Sequence, residues 1–292
     1  MKFTKITITA SVFLILIMGV VYFAKNARTT EKAPVIQVLS AHEANSTPRE
    51  ASKSPSPSRE ATSSFVPTLA SGYCLNVPVL MYHHIEPSTQ AKAEGHSSLN
   101  VDSGIFASQM AYLSSKGYNT ITADDLVNAL KRQGTIPSKS IVLTFDDGYS
   151  DFYTYAFPVI KQYNFKANLM IPTGLIQNNG YMTWGQLQEI SSSGSKIYNH
   201  TWSHASLGGA TIDKITYEIS TANKQISQYL GYTPDIFTYP YGSEGSTVIN
   251  YLVSQGFRGA FSEIPGTYQC DSYLMTLHRT RIGNSQLSAY GI

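Results

Sequence analysis

The chain has 292 residues, 14% of them charged, with a formal net charge of +2. That length suits one large domain or two small ones, and so weak a charge excludes the concentrated basic face that nucleic acid requires. Twenty tyrosines in a charge-poor chain suit neutral ligands such as sugars, and the two cysteines, Cys74 and Cys270, match no zinc-ligand spacing.

Residues 1–5, with Lys2 and Lys5, read as a short cytoplasmic tail. Residues 6–24 are an apolar run broken only by Thr7, Thr9, Ser11 and Gly19. As a helix rising ~1.5 Å per residue it nearly spans a bilayer core. A cleavable signal peptide has a shorter apolar region that ends in a small-x-small site. Here Tyr22 lies two residues before Ala24, and Lys25 two before Ala27, so a retained anchor is favoured over secretion after cleavage. Residues 25–72 contain Ser-Pro-Ser-Pro-Ser and little to bury, which predicts a disordered tether. Residues 73–292 are then expected to be a monomeric extracytoplasmic domain held at the membrane by the amino-terminal helix.

Within that domain, strands and helices alternate. Val77–Tyr82 reads as a buried strand ending in His83-His84. Phe106, Met110 and Leu113 have helical spacing over residues 106–116, and Gly117 suits the cap. A short strand at residues 118–122 precedes a helix over 123–132, started by Asp124 and Asp125. Ile141-Val142-Leu143-Thr144-Phe145 is an apolar strand that ends in Asp146-Asp147-Gly148, followed by a helix over 150–162. Further strands are expected at 167–172, 196–199, 236–240, 258–262 and 276–282, with helices at 183–192, 212–230 and 247–255. This alternation predicts an α/β fold with a parallel sheet or (β/α) barrel.

Two carboxylates at the carboxyl end of a buried strand are costly unless they serve a turn or a site. His200-Thr201-Trp202-Ser203-His204 places two imidazoles four residues apart, a spacing that one helical turn would bring onto one face to chelate a metal. Two unrelated surface histidines are the alternative. An aspartate from a neighbouring strand end would complete a His-His-Asp set with an open position, the pattern of a catalytic zinc.

Thr144-Phe145-Asp146-Asp147-Gly148 followed by His200-Thr201-Trp202-Ser203-His204 resembles the first two motifs of the polysaccharide deacetylases, the NodB-homology or carbohydrate esterase family four. Tyr239-Pro240-Tyr241-Gly242 resembles part of the third. The resemblance implies a distorted (β/α) barrel and removal of N-acetyl groups from N-acetylhexosamine residues of an extracellular or cell-wall polysaccharide. It implies that Asp146 is the general base, and that Asp147, His200 and His204 hold a divalent metal, zinc first, cobalt or nickel as alternatives. The backbone N–H of Tyr241 would stabilise the oxyanion beside the metal. A bound dication lowers the pKa of water, so a carboxylate of modest basicity suffices as the base.

Two positions depart from the pattern. Thr238 stands where the third motif carries arginine, and the usual last motif, Leu-x-His, is reduced to Thr276-Leu277-His278. Leu80-Met81-Tyr82-His83, however, resembles the histidine strand of a permuted branch that includes the poly-N-acetylglucosamine deacetylases. On that reading His83, rather than His278, protonates the leaving amine, and Arg279 or Arg281 supplies the missing guanidinium. Trp184, Trp202 and Arg279 are candidate substrate contacts, the tryptophans by stacking on a sugar ring, with a core position as the alternative for each. Cys74 and Cys270 pair in a disulfide if the strands beside them adjoin, and are otherwise two lone thiols. Two other functions stay open: an O-acetyl esterase using the same groups, and a non-catalytic glycan-binding surface protein, which the threonine at 238 would favour.

Overall fold

A computed structural model describes residues 72–292. The tail, the anchor at 6–24 and nearly all of the tether lie outside the described residues. Among the described residues, no helix is long and apolar enough to cross a membrane.

The strands are β1 (Cys74–Asn76), β2 (Val79–Tyr82), β3 (His84–Glu86), β4 (Asn100–Asp102), β5 (Asn119–Thr120), β6 (Ser140–Asp146), β7 (Asn168–Ile171), β8 (Lys196–Asn199), β9 (Ile236–Thr238), β10 (Gly259–Phe261), β11 (Tyr268–Cys270) and β12 (Thr280–Arg281). An eight-stranded sheet runs in the order β10-β9-β8-β7-β6-β2-β12, with β5 beside the start of β6. All its pairs are parallel.

The sheet curls without closing through a ladder. Its end strands, β10 and β12, are not partners, and one parallel bridge, Phe261 to Leu277, spans the seam just before β12. The first long strand, β2, lies between β6 and the last strand, β12. The beginning and end of the described residues therefore adjoin at the sheet.

Strand β6 shows why the sheet is buried on both faces. Every one of its residues is buried. Ile141, Leu143 and Phe145 join one apolar cluster with Phe106, Met110 and Leu187, whereas Val142 joins another with Val79, Leu126 and Leu277. Side chains alternate across a strand, so a near-continuous apolar run fills two cores at once.

Several helices match their predicted extents closely, and the Ile212–Leu230 helix matches to the residue. The segment after β6 differs. It is not one α-helix over 150–162 but a π-helical turn at Phe152–Ala156 followed by an α-helix at Phe157–Gln162. Pro158 has no N–H for the Thr154 carbonyl, and the wider turn upstream absorbs the misfit.

Strands β1 and β11 form a separate antiparallel ribbon in which Cys74 sits opposite Cys270. The two are joined by a disulfide spanning 196 residues. In the chain-entropy view a loop of that length is worth about 5 kcal/mol against the unfolded state.

Candidate active site

The chemistry-bearing residues gather where the parallel strands end. Asp146 is the last residue of β6 and Asp147 follows it, His200 follows β8, and His83 follows β2. Tyr82 pairs with Phe145, so the next residue along each strand brings His83 beside Asp146.

Asp147 leaves the strand with φ 72°, a left-handed conformation that a non-glycine residue adopts only under constraint. Its N–H donates to the Met170 carbonyl, and Gly148 continues the turn at φ 77°. A side chain at 148 would press on Ile171 and Ile176 besides facing that strain. The turn sends the two carboxylates in different directions, as their adjacency requires.

The His200–His204 segment is not helical, contrary to the spacing argument. Thr201 and His204 have φ 67° and 59°, and the segment is a loop. The loop has its own scaffold. The Glu218 carboxylate, buried on the Ile212–Leu230 helix, accepts from the N–H groups of Trp202 and Ser203 and from the Ser203 hydroxyl. Asn199 accepts from the Thr201 N–H, and the Thr201 hydroxyl accepts from the Ala205 N–H. A left-handed loop pinned in this way delivers both imidazoles to one point as a helical turn would.

At that point His204 Nε2 lies 3.1 Å and His200 Nε2 3.6 Å from Asp147 Oδ1. His200 Nδ1 is 2.8 Å from the Thr238 carbonyl oxygen, which can only accept, so Nδ1 carries the proton and Nε2 presents a bare lone pair. His204 Nδ1 is held 3.0 Å from the Tyr241 hydroxyl. With both Nε2 atoms bare, the state in which Tyr241 accepts from His204 Nδ1, Asp147 Oδ1 is a buried oxygen with no donor. Acceptors converging on one another, with their rear nitrogens fixed by hydrogen bonds, have the make-up of a cation site. Asp147, His200 and His204 thus fit a divalent metal. Burial works to raise the Asp147 carboxyl, but the imidazoles beside it outweigh burial and hold it well below the ordinary range.

Asp146 belongs to a different arrangement. Its Oδ1 accepts from Arg279 Nη1 at 2.7 Å, and the same guanidinium donates to the Thr144 hydroxyl and the Ser262 carbonyl. Arg279 is 1% exposed. It is therefore not a substrate contact, as one reading of the sequence had it, because no surface remains for a sugar to touch. It takes the other role expected of it, a guanidinium beside the carboxylate in place of an arginine at 238. Burial pushes Asp146 up, and Arg279, His200 and His83 together bring it below the ordinary carboxylate range. Arg281 instead pairs with Glu263 at the surface.

His83 is buried, and burial lowers its imidazole pKa against the opposing pull of Asp146 and Asp147. His278 stacks on Tyr273 beside Gly266 and does not join this group. Tyr241 has φ 60° in the turn at Pro240–Gly242. Among the described residues its N–H donates to no backbone carbonyl, so it is open to a ligand. Its exposed ring adds the hydroxyl contact to His204, which the sequence reading did not include.

Of the two tryptophans expected to meet a sugar, Trp184 is corrected and Trp202 is not. Trp184 is buried and stacked on Tyr229 at 4.3 Å, part of the core. Trp202 sets its ring edge against Tyr217 and lies so close to Gly174 that a Cβ there would come within 2.7 Å of the indole. It braces the loop through these contacts while its side chain stays partly exposed. Tyr149 and Tyr181 are the aromatic side chains that do stand near the carboxylates, and both phenols are raised by burial first and by Asp147 next.

The sequence pattern of the polysaccharide deacetylases matches residues 133–260. That span contains Asp146, Asp147, His200, His204 and Tyr241 in the order of the family's motifs. The chain belongs to the polysaccharide deacetylase family. Among its relatives, the Bacillus subtilis protein YxkH, named as a polysaccharide deacetylase, is 29% identical over 74% of this chain and 75% of its own length. The poly-beta-1,6-N-acetyl-D-glucosamine N-deacetylase of Escherichia coli K12 is 24% identical over 70% of this chain, which spans only 36% of that protein. Among solved structures, the Streptococcus pyogenes deacetylase PplD, determined with acetate, superposes with a TM-score of 0.68 at 26% identity, covering 72% of this chain and 93% of PplD. IcaB from Ammonifex degensii, at 24% identity and a TM-score of 0.62, covers 74% and 96% and shares the fold. The strand ends of this chain thus carry its family's motifs on a curled parallel sheet.

Proposed function

We propose that this protein is a metal-dependent hydrolase that removes N-acetyl groups from N-acetylhexosamine residues of an extracytoplasmic polysaccharide. The observation that carries the reading is the orphaned Asp147 Oδ1 facing two imidazole Nε2 atoms, with the Asp146–Arg279 pair on the adjoining residue. Asp147, His200 and His204 would hold a divalent ion, which polarises an acyl oxygen and acidifies water.

The chain's own groups do the rest. Asp146, kept ionised by Arg279, takes a proton from the attacking water. The Tyr241 N–H donates to the oxygen on which negative charge develops. His83 gives a proton to the departing amine nitrogen, and its burial beside the two carboxylates suits a group that must change charge during turnover. An anchor at residues 6–24 would place this apparatus outside the membrane.

Acetate release from N-acetylated hexosamine oligosaccharides is the test, with chelator-stripped protein given zinc, cobalt or nickel in turn. Activity that needs the metal and disappears in Asp146→Asn supports the reading. Metal-bound protein that hydrolyses acetate esters and leaves every acetamide intact replaces it with an esterase. Glycan binding without turnover replaces it with a lectin-like role.

A further inference from the structure

A second cluster of ligand-type side chains lies outside the motif residues. His84 and Glu86 sit two apart on β3, so their side chains share one face. His96 comes to them from the loop after the Ser88–Glu94 helix, which Gly95 ends in a left-handed cap. Ligand atoms of these three residues all lie within 4.8 Å of one another. We infer that His84, Glu86 and His96 form a second site for a divalent transition-metal ion, with Glu94 at its rim.

Each residue is set as a ligand would be. His84 Nδ1 is 2.5 Å from Asp151 Oδ2, and Asp151 Oδ1 also accepts from the Ile85 N–H. A carboxylate behind an imidazole fixes its tautomer, raises its basicity and leaves Nε2 as the free donor, which is the support that metal-bound histidines carry. Glu86 is 1% exposed, a carboxylate taken out of water. Its one protein side-chain partner is His96 Nδ1, at 2.9 Å. A metal ion can take the place of the proton in that bond. Glu94 Oε2 stands 3.8 Å from the same nitrogen and is half exposed, free to swing in as a fourth ligand. Two imidazoles with one or two carboxylates suit zinc and its neighbours rather than magnesium or calcium.

The imidazoles of His84 and His96 are stacked at 3.9 Å and nearly parallel. Sharing an ion therefore requires one ring to tilt. The His96 side chain is a third exposed and sits in a loop, so it can turn while His84 stays clamped between Asp151 and the Tyr149 ring. The site borders a cleft of about 300 Å³ that Tyr149 and Tyr181 also line. An ion here would fix the loop that forms one wall of that cleft. The inference does not depend on the proposed activity.

The test is metal stoichiometry on the purified full-length chain, by equilibrium dialysis against zinc alone followed by elemental analysis. Wild type is expected to bind two ions with micromolar or tighter affinity, His96→Ala one, His200→Ala one, and the double variant none. Zinc should raise the melting temperature of His200→Ala but not of the double variant. One ion kept by His200→Ala and lost in His96→Ala supports the second site even if the motif cluster proves empty. A single ion in wild type that survives His96→Ala and is lost in His200→Ala overturns it, as does binding at this cluster only at millimolar zinc. Should a variant fail to fold, an anomalous-scattering peak between His84, Glu86 and His96 in zinc-grown wild-type crystals decides the matter, and a peak at Asp147 alone overturns the proposal.

Discussion

Two clusters, each of two histidines and one carboxylate, flank Tyr149. The Tyr149 ring stacks on His84 at 3.7 Å, and burial, then the nearby Asp147 charge, push its phenol up. Composition does not distinguish the clusters; hydrogen-bond satisfaction does. Around Asp147 a carboxylate oxygen is left without a donor while the histidines' rear nitrogens are already engaged. Around Glu86 the carboxylate already accepts from an imidazole. The first cluster is an unfinished arrangement that a cation completes, because a buried acceptor without a partner costs ~1–3 kcal/mol. The second is stable as it stands and would trade a proton for a metal. The comparison therefore predicts tighter binding at the first site and exchange at the second.

The largest expected effect separates chemistry from metal binding at the first cluster. Asp146→Asn should lower kcat/KM by ~10²–10⁴-fold, the usual contribution of a positioned base. Dialysis should find the ion at Asp147 still bound, since Asp146 is not among the converging acceptors. Loss of metal together with activity would make Asp146 a ligand and erase the distinction between the two aspartates.

Next comes Arg279→Leu. This leaves a buried carboxylate without its counter-charge, a change that costs ~3–5 kcal/mol in such pairs. Denaturant unfolding should register that loss, and Asp146→Asn in the same background should recover part of it. No recovery would mean that the guanidinium works through Thr144 and Ser262 instead. A smaller effect is expected from Glu218→Gln. The amide still accepts from the loop, yet one of its two ends becomes a donor, so the His200–His204 loop loosens. Zinc affinity at the first site should fall by ~10-fold, within the range for residues that orient ligands, while the second site keeps its affinity. An equal loss at both would point to global destabilisation.

What the sequence revealed follows from which interactions are local. Asp146-Asp147 and His200 to His204 were legible because each pair is contiguous or nearly so and ends an apolar strand. The geometry of the second pair was not. Two left-handed residues, Thr201 and His204, replace the expected helical turn, and the carboxylate that stabilises them, Glu218, lies on a helix whose apolar spacing marks it only as core. Arg279 looks like a substrate contact in sequence because nothing local tells a buried arginine from an exposed one. The Asp146 partner is 133 residues away and is brought close by the pairing of β12 with β2. Residue type alone does not tell a core tryptophan from a cleft one; packing against Tyr229 buries Trp184, whereas Trp202 stays partly exposed beside Tyr217. His84 and Glu86 did carry a signal, the alternation of two ligand types on one strand face. The direct junction of β2 with β3 hides that signal, because in sequence His84 merely ends the strand before it.

The smallest effect concerns the frame of the second cluster. Asp102 caps the Ser103–Ser115 helix through the Gly104 N–H and also accepts from the N–H and hydroxyl of Ser88, at the start of the helix that leads to His96. It pairs directly with Glu86 across β3 and β4. The Ser88 bonds come first in holding the Asp102 carboxyl below the ordinary aspartate range, and the N-cap bond adds to them. A carboxyl depressed by folding contributes stability that is present above its unfolded pKa and lost as pH falls through its folded one. Amide protection over residues 88–104, measured against the intrinsic exchange rate at each pH, should therefore fall as the solution is acidified below the usual aspartate range. Asp102→Ala should cost ~1 kcal/mol, the worth of a helix cap, and should flatten that local acid response. The amides of β6 and β8, which carry the first cluster, should keep their protection in the variant. If they lose it in step with residues 88–104, the two clusters share one cooperative frame, and the contrast between a rigid first site and an adaptable second one fails.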